Sequence, residues 1–295
     1  MDTVVLLTLT GLGLGALYFL VAAGLSLILG LMDVLNFAHG ALLSVGAYAT
    51  WWAASGRLPG AGSGGPGFVL AVAFGVAVGT AAAVLLELGI VRPLYTRPRE
   101  QVLATVGVSL AVPALLSGIW GSDALTFPGP EALRATVGLF GARIPANRFV
   151  LIGAAVLVWT GLKLFLDRTR HGLVVRAGVE DRAMVTALGI DVRRAFTLVF
   201  AIGGAAAALG GALGGLYFGS VDPGQGTSLL IFAFVVVVTG GMGSVTGAAV
   251  ASVVIGLVQQ FANYYAAAGL GDLAVVVLLA ALLLVRPHGL TGRLA

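Results

Sequence analysis

Long apolar runs, separated by short polar connections, occupy almost the whole of this 295-residue chain. Because about 20 consecutive apolar residues of helix cross a bilayer core, each run predicts a membrane segment. We expect an all-α, polytopic transmembrane helical bundle of about eight to ten segments. The predicted segments lie near 4–30, 37–55, 67–90, 102–120, 148–167, 195–218, 228–240, 246–265 and 270–286. Residues 1–3 offer no basic region before the first run, so no cleavable signal peptide is expected.

Two of the predicted segments contain helix-breaking residues. Segment 102–120 carries Pro113 in its interior, and segment 228–240 is short before the glycine-rich run at 240–243. Interrupted helices are tolerated at membrane depth where they are buried in protein or line a wet cavity. We therefore expect broken or re-entrant helices at these two positions.

The composition agrees with a membrane protein and excludes several other classes. Hydrophobic residues make up 59% of the chain and charged residues 9%, whereas soluble domains contain about 25% charged residues. Residues 1–295 are predicted to form one transmembrane domain with a cytoplasmic loop at 167–194. The sequence contains no cysteine, which excludes disulfides and thiolate metal sites, and no metal site is predicted.

The distribution of basic residues indicates the orientation of the chain. With nine crossings and an external amino terminus, twelve of the 16 basic residues fall on the cytoplasmic side. This excess follows the positive-inside rule, and it explains the net charge of +4 without nucleic acid as a partner. We expect a multi-pass protein of the plasma (inner) membrane, with the amino terminus outside and the carboxyl terminus in the cytoplasm.

Small residues recur at every fourth position in two of the segments. One stripe consists of Gly203, Ala207, Gly211 and Gly215, and the other of Gly75, Gly79 and Ala83. This spacing lets two helix backbones approach closely in lipid. It favours compact helix packing over a substrate groove.

A polar group stands between the first two segments, where Asn36, Phe37 and His39 precede an apolar run. Asn36 and His39 are three residues apart and share a face if this turn is helical. Polar groups are costly at membrane depth, so these residues are candidates for a translocation path that hydrogen-bonds a zwitterionic cargo. The alternative is a helix junction, in which Asn36 caps the second helix and His39 is bonded within the protein.

Three acidic residues are interpreted structurally. Glu87, one turn before Arg92, is expected to be a snorkelling carboxylate at a helix end. Asp272 is expected to cap the last helix, and Asp222 to begin an external turn. These residues do not form a relay of ionisable groups across the bilayer, which disfavours an ion-coupled secondary transporter.

The cytoplasmic loop contains a short predicted helix between Gly178 and Gly189. Acidic residues stand in its first turn and glycine follows its end, as helix termini favour. At ~1.5 Å per residue this helix would be about 15 Å long, and it is too polar to cross the bilayer. It is either an amphipathic helix at the membrane surface or a docking helix for a cytoplasmic partner.

Several motifs, in order along nearly the whole chain, resemble the branched-chain amino acid ABC transporter permease family of the LivH type. They are Gly24–Met32 with Asn36–Gly40 and Gly46–Tyr48, then Gly178–Ile190, Gly241–Gly247 and Val285–Leu290. The resemblance implies a membrane-spanning permease subunit of an importer that translocates branched-chain or other small neutral amino acids. A permease for urea or short amides is the alternative within the family.

The resemblance also implies partners. A second related permease would complete the pore as a hetero- or homodimer. Two cytoplasmic ATPase subunits would use ATP. An extracytoplasmic binding protein would dock on loops 121–147 and 219–227. The chain would contact membrane lipid and bind no cofactor itself. The implied ATPase-coupling helix comprises Val179, Glu180, Asp181, Ala183, Met184, Ala187, Leu188 and Gly189. Asp181 and Arg182 stand where the family usually has alanines.

The chain itself is not expected to be an enzyme. Its only lysine is Lys163, and no Gly-x-x-x-x-Gly-Lys-Ser/Thr loop occurs, so ATP hydrolysis is expected in the partner subunits. The sequence also lacks a Gly-x-Ser-x-Gly nucleophile elbow, which disfavours an intramembrane hydrolase.

Overall fold

The computed structural model describes residues 2–32, 36–139, 141–180, 182–187, 189, 192–286 and 289–291. These residues form a helical bundle with two short pairs of antiparallel strands. The helices are α1 (Asp2–Met32), α2 (His39–Trp52), α3 (Gly65–Leu86), α4 (Pro98–Trp120), α5 (Glu131–Arg134), α6 (Asn147–Arg168), α7 (Arg170–Glu180), α8 (Arg182–Ala187), α9 (Val192–Phe218), α10 (Gln225–Gly240), α11 (Val245–Tyr265) and α12 (Leu270–Val285). The strands are β1 (Leu125–Thr126), β2 (Thr136–Leu139), β3 (Ala142–Pro145) and β4 (Ser220–Val221), and they pair as β1–β4 and β2–β3. The predicted all-α membrane bundle is confirmed.

Six of the described helices are long and apolar enough to cross a membrane, namely α1, α3, α4, α6, α9 and α11. Helices α10 and α12 are apolar but only 16 residues long. Helix α2 has 14 residues and continues into a π-helical turn at Ala53–Arg57. Each predicted segment coincides with one of these nine helices, so the chain is a multi-pass membrane protein.

These nine helices run alternately between two ends of the bundle. The hairpin end holds the start of α1 and the β2–β3 hairpin, where Gly141 lies against Asp2. The β1–β4 pair joins the connections that follow α4 and α9 at the same end. The α7 end is opposite and holds α7, α8 and the turn between α10 and α11, where Gly243 lies against Gly30.

Helix α1 lies at the centre of the bundle and packs against α6, α9, α10 and α11. The contacts are close because glycines meet the backbone of the neighbouring helix. A Cβ atom added to Gly24 would lie 2.8 Å from Gly203 Cα, and one added to Gly15 would lie 2.6 Å from the Ser252 carbonyl oxygen. The glycine stripe of α9 contacts α1 and α2 in the same way. The predicted compact packing of these small residues is confirmed.

Helix α4 passes through Pro113 without a break, so the predicted interruption of this segment is wrong. Proline removes one backbone hydrogen bond from a helix. The loss is tolerated here because α4 lies at the periphery, where only 11% of its apolar window is buried and few neighbours resist a local change of geometry. Helix α10 is short but also continuous, and it ends where Gly241 adopts a φ of 100°.

An irregularity of the bundle that the sequence did not predict lies at the start of α2. His39 Nε2 is 3.0 Å from the Val21 carbonyl oxygen of α1, so α2 begins beside the middle of α1. The end of α1 at Met32 lies about 16 Å further along the axis at ~1.5 Å per residue. Helix α2 therefore crosses only part of the bundle, and its first turn lies in the interior.

Candidate functional site

A cavity of about 480 Å³ lies at the hairpin end, between α1, α9, α10, α11 and α12. Small-molecule sites commonly have volumes of ~300–1,000 Å³. The wall combines polar side chains with aromatic and aliphatic ones. The polar side chains include Tyr18, Asp222, Gln225, Ser228, Gln259 and Asp272, and the apolar ones are Leu14, Phe218, Leu229 and Phe232. Polar groups are rare in this apolar bundle, so their convergence marks a candidate functional site.

A chain of hydrogen bonds forms the floor of the cavity and joins three helices. The Tyr18 hydroxyl of α1 donates to Gln259 Oε1 of α11 at 2.7 Å. Gln259 Nε2 in turn donates to Asp272 Oδ1 of α12 at 2.6 Å. The Phe232 ring of α10 stacks on Tyr18, with the ring centroids 4.9 Å apart. Tyr18 and Gln259 are almost fully buried, so the floor is a packed structure held from four helices.

The direction of these hydrogen bonds determines whether Asp272 donates or accepts. Because Tyr18 occupies the amide oxygen of Gln259, the amide NH2 group faces the carboxylate of Asp272. An NH2 group only donates hydrogen bonds, so Asp272 acts as the acceptor. Asp272 is exposed at the cavity, and its second carboxylate oxygen can accept from a ligand.

Asp272 does not cap α12, so that prediction is wrong. The N-cap residue is Gly269, and Asn263 of α11 takes the capping role. Asn263 Oδ1 accepts from the backbone N–H groups of Gly269 and Gly271 at 3.1 and 2.9 Å. Asp272 lies in the first turn of α12, where the helix dipole favours a carboxylate, and its side chain faces the cavity instead of the helix end.

The predicted path residues Asn36, Phe37 and His39 do not line this cavity. They meet in one turn that lies deeper in the bundle, about one helical turn beyond Tyr18, because His39 contacts the carbonyl of Val21. Asn36 and His39 are buried, and Phe37 is half-buried. Their role in a path stays a prediction.

The alternative interpretation, in which Asn36 caps α2, is wrong. The N-cap of α2 is Ala38, and no side chain caps this helix. Asn36 Oδ1 instead accepts from the Ala38 N–H at 3.1 Å, within the turn before the helix. Asn36 Nδ2 and His39 Nδ1 have no hydrogen-bond partner among the described residues. Phe37 packs on Phe234 of α10, with the ring centroids 5.5 Å apart.

The predicted coupling residues lie at the α7 end, in two helices where one was expected. Those that the structure describes are Val179, Glu180, Ala183, Met184, Ala187 and Gly189. The first two end α7, which begins earlier than predicted at Arg170, and the next three belong to α8. Asp181 and Leu188 lie outside the described residues. Met184 is 60% exposed whereas Val185 is buried, so α8 packs one face and presents another.

Glu87 is not a snorkelling carboxylate, in contrast to the prediction. It is fully buried and accepts hydrogen bonds from the Tyr95 hydroxyl and from Thr197 Oγ1, the latter at 2.9 Å. No hydrogen bond joins it to Arg92 in the described part of the chain. The carboxylate therefore connects the end of α3 to the start of α9.

Sequence analysis did not single out Tyr18, Gln225 or Gln259 and interpreted Asp222 only as a turn residue. Asp222 does form that turn, but it also lines the cavity. One signal was available, because Gln259 and Asn263 stand four residues apart on one face of an otherwise apolar segment. Tyr18 carried no comparable signal, since tyrosine is enriched at membrane–water interfaces without any specific function.

Comparison with known proteins gives consistent relatives. The family described as branched-chain amino acid transport system, permease component, matches residues 7–286. The high-affinity branched-chain amino acid transport system permease protein LivH of Escherichia coli is 30% identical over 292 residues, covering 96% of this chain and 94% of that protein. The corresponding protein BraD of Pseudomonas aeruginosa is 30% identical over 302 residues with the same coverage. A probable LivH permease of Methanocaldococcus jannaschii is 27% identical over 305 residues, covering 94% and 89%. The chain therefore belongs to the family of permease components of branched-chain amino acid transport systems.

Proposed function

We propose that this chain is the membrane-spanning permease subunit of an ATP-binding-cassette importer for branched-chain amino acids. The observation that carries the proposal is the cavity of mixed polar and apolar lining in an otherwise apolar bundle of this family. A branched-chain amino acid has two charged groups and an aliphatic side chain, so it needs both kinds of wall. The names of the relatives disfavour urea or short amides as the cargo.

Cargo would enter the cavity at the hairpin end and leave at the α7 end. The floor between these ends consists of side chains, since Tyr18, Gln259 and Asp272 join α1, α11 and α12. A movement of α1 against α11 would break this chain and open the floor. We place the turn of Asn36, Phe37 and His39 in the deeper part of the path, which their position beyond Tyr18 supports.

The hairpin end would face the outside and the α7 end the cytoplasm, with the amino terminus external and the carboxyl terminus internal. The distribution of basic residues supports this orientation. Those at the α7 end are Arg92, Arg97, Arg99, Arg168, Arg170, Arg176, Arg182, Arg193, Arg194 and Arg286, against Arg57, Arg134, Arg143 and Arg148 at the hairpin end.

The partners would follow from the two ends. Two ATPase subunits would bind at the α7 end, where α7 and α8 would couple their movement to the bundle, and loop 167–194 would form the coupling loop of a single domain, 1–295. A binding protein would deliver cargo at the hairpin end. A second related permease would complete the pore, since importers of this class contain a pair of permeases.

ATP-dependent uptake of labelled leucine tests the proposed function. The chain would be reconstituted in vesicles with its candidate permease, ATPase and binding-protein partners. We expect uptake that requires ATP and every partner. Uptake of urea in place of leucine would overturn the cargo, and uptake driven by an ion gradient without the ATPase would overturn the importer.

A substitution on the exposed face of α8 tests the coupling site. Met184→Asp places a charge where a partner would cover an exposed apolar side chain, so we expect leucine uptake to fall by at least about tenfold, the equivalent of ~1.4 kcal/mol. Met184→Leu keeps the apolar surface and should retain uptake. Equal uptake by both variants, at equal amounts of inserted protein, would contradict the assignment of α8.

A further inference from the structure

We infer that the cavity at the hairpin end recognises the ammonium group of its cargo through Asp272 and Gln225. This inference rests on the proposed function and adds a recognition chemistry to it. It predicts a preference for amines with a short apolar substituent over anions of the same shape.

The charged side chains that line the cavity have one sign. Asp222 and Asp272 line it, and none of the described residues in its wall is Lys, Arg or His. The guanidinium of Arg148 is not part of the lining but lies against it, because it stacks on the ring of the wall residue Tyr217 at 3.4 Å from the centroid and donates to the Tyr217 carbonyl at 3.5 Å. A cavity lined by one sign of charge attracts the opposite charge.

Two acceptors in the wall are not fully used by the protein. Asp272 accepts from Gln259 through Oδ1, and the described residues make no ion pair with its carboxylate. Gln225 is 9% exposed and lines the cavity, yet its buried amide oxygen has no hydrogen-bond partner among the described residues. A buried polar atom without a partner is costly. A rotation of this amide toward the cavity would supply an acceptor to an ammonium group, which has three donors and no acceptor.

The apolar part of the wall can bind the aliphatic side chain of the cargo. Phe232 stacks on Tyr18, and Leu229 and Phe218 line the same cavity. An aliphatic side chain can pack against these residues while the ammonium group reaches Asp272. A carboxylate in that position would face another carboxylate, which like charges disfavour.

The natural sequence contains no cysteine, so a single introduced thiol can report the charge of the cavity. Ser228→Cys places the thiol in the wall, and Ser63→Cys places it on an exposed connection at the same end. The full chain in nanodiscs would be treated with a cationic (trimethylammonium) or an anionic (sulfonate) methanethiosulfonate reagent. We expect the ratio of cationic to anionic rates to be about tenfold higher at 228 than at 63. Equal ratios would overturn the inference.

Variants of the two acceptors and three protecting compounds complete the test. In the Ser228→Cys background, Asp272→Asn should remove most of the cation preference. Gln225→Leu should retain that preference, but isopentylamine should slow the modification of Cys at 228 less than in the parent. This second variant can be tested even if Asp272→Asn fails to fold. Isopentylamine and leucine should slow modification, whereas 4-methyl-2-hydroxypentanoate should not. Equal protection by the hydroxy acid and the amine would overturn the inference.

This experiment separates the inference from the proposed function, because it needs neither ATP nor a partner subunit. Leucine uptake without a cation preference would overturn only the recognition chemistry. A cation preference in a chain that supports no ATP-dependent uptake would overturn only the transport proposal.

Discussion

Buried polar side chains join residues that are far apart in the sequence. Glu87 shows this at the α7 end, where it is fully buried and accepts from the hydroxyls of Tyr95 and Thr197. Loss of such a partner leaves a buried polar group unsatisfied, which costs about 1–3 kcal/mol. The contact therefore contributes to the fixed position of α9 against α3.

Replacement of Glu87 tests this contribution. Glu87→Leu removes the shared acceptor of Thr197 and Tyr95, and we expect the free energy of unfolding to fall by about 1–3 kcal/mol. Tryptophan fluorescence on heating in detergent would measure the change as a lower Tm. Glu100→Gln is the matched control, because Glu100 forms an exposed ion pair with Arg97 at 3.2 Å, which is worth little. Equal effects of the two substitutions would show that burial of Glu87 adds nothing.

The same residues show how far sequence reasoning reaches at this scale. Helical spacing identifies neighbours within a turn, so it paired Glu87 with Arg92. One of its two partners, Thr197, lies 110 residues later, and Gln259 lies 241 residues after Tyr18. Such contacts depend on which helices become neighbours, and periodicity within one segment carries no information about that.

At the scale of helices, the close approach of α1 and α9 depends on glycine. A side chain at Gly24 would meet the backbone of Gly203, which cannot move aside as a flexible side chain could. The recurrence of small residues indicated this packing from sequence, because their four-residue period is itself the pattern of a helix face. Which helix packs against each stripe was seen only in the structure.

Substitution at Gly24 tests the packing of these helices. Gly24→Ala should separate α1 from α9 and reduce the yield of monodisperse protein in size-exclusion chromatography, with a lower Tm. Gly153→Ala in α6 is the control, because an added Cβ there has no neighbour within 4 Å. Alanine favours a helix over glycine by about 1 kcal/mol, so the control should be neutral or stabilised. A loss at Gly153 equal to that at Gly24 would contradict the packing argument.

The extent of the membrane helices was predictable, whereas their continuity was not. Each of the nine apolar runs became a helix, because a run of that length has no other way to satisfy its backbone in lipid. The break expected at Pro113 is absent. The interior start of α2 could not be predicted, because no proline marks it in the sequence. Both outcomes depend on neighbouring helices, which surround α2 and leave most of α4 exposed.

At the scale of the whole molecule, the two ends of the bundle differ in chemistry. The hairpin end opens into a cavity with two carboxylates, and the α7 end carries most of the arginines. Such a difference between the two ends is typical of membrane proteins, in which basic residues are concentrated in the cytoplasmic loops.

Labelling of single cysteines tests the orientation directly. Ser63→Cys at the hairpin end should react with a membrane-impermeant maleimide in intact cells. Glu100→Cys, exposed near the α7 end, should react only after the cells are opened. The reverse pattern would invert the proposed topology, and the chain without introduced cysteine serves as the blank.

The interior start of α2 has a consequence for the biosynthesis of the chain. Its fourteen α-helical residues cover about 21 Å at ~1.5 Å each, and the π-helical turn Ala53–Arg57 continues the helix toward the hairpin end. Two of its packing partners are α9 and α10, which leave the ribosome much later because synthesis proceeds from the amino terminus. We expect the second helix to reach its final depth only when those later helices have been synthesised. A nascent chain halted before α9 would therefore hold α2 at a different depth, where the protein-conducting channel or an insertase would have to shield its polar first turn.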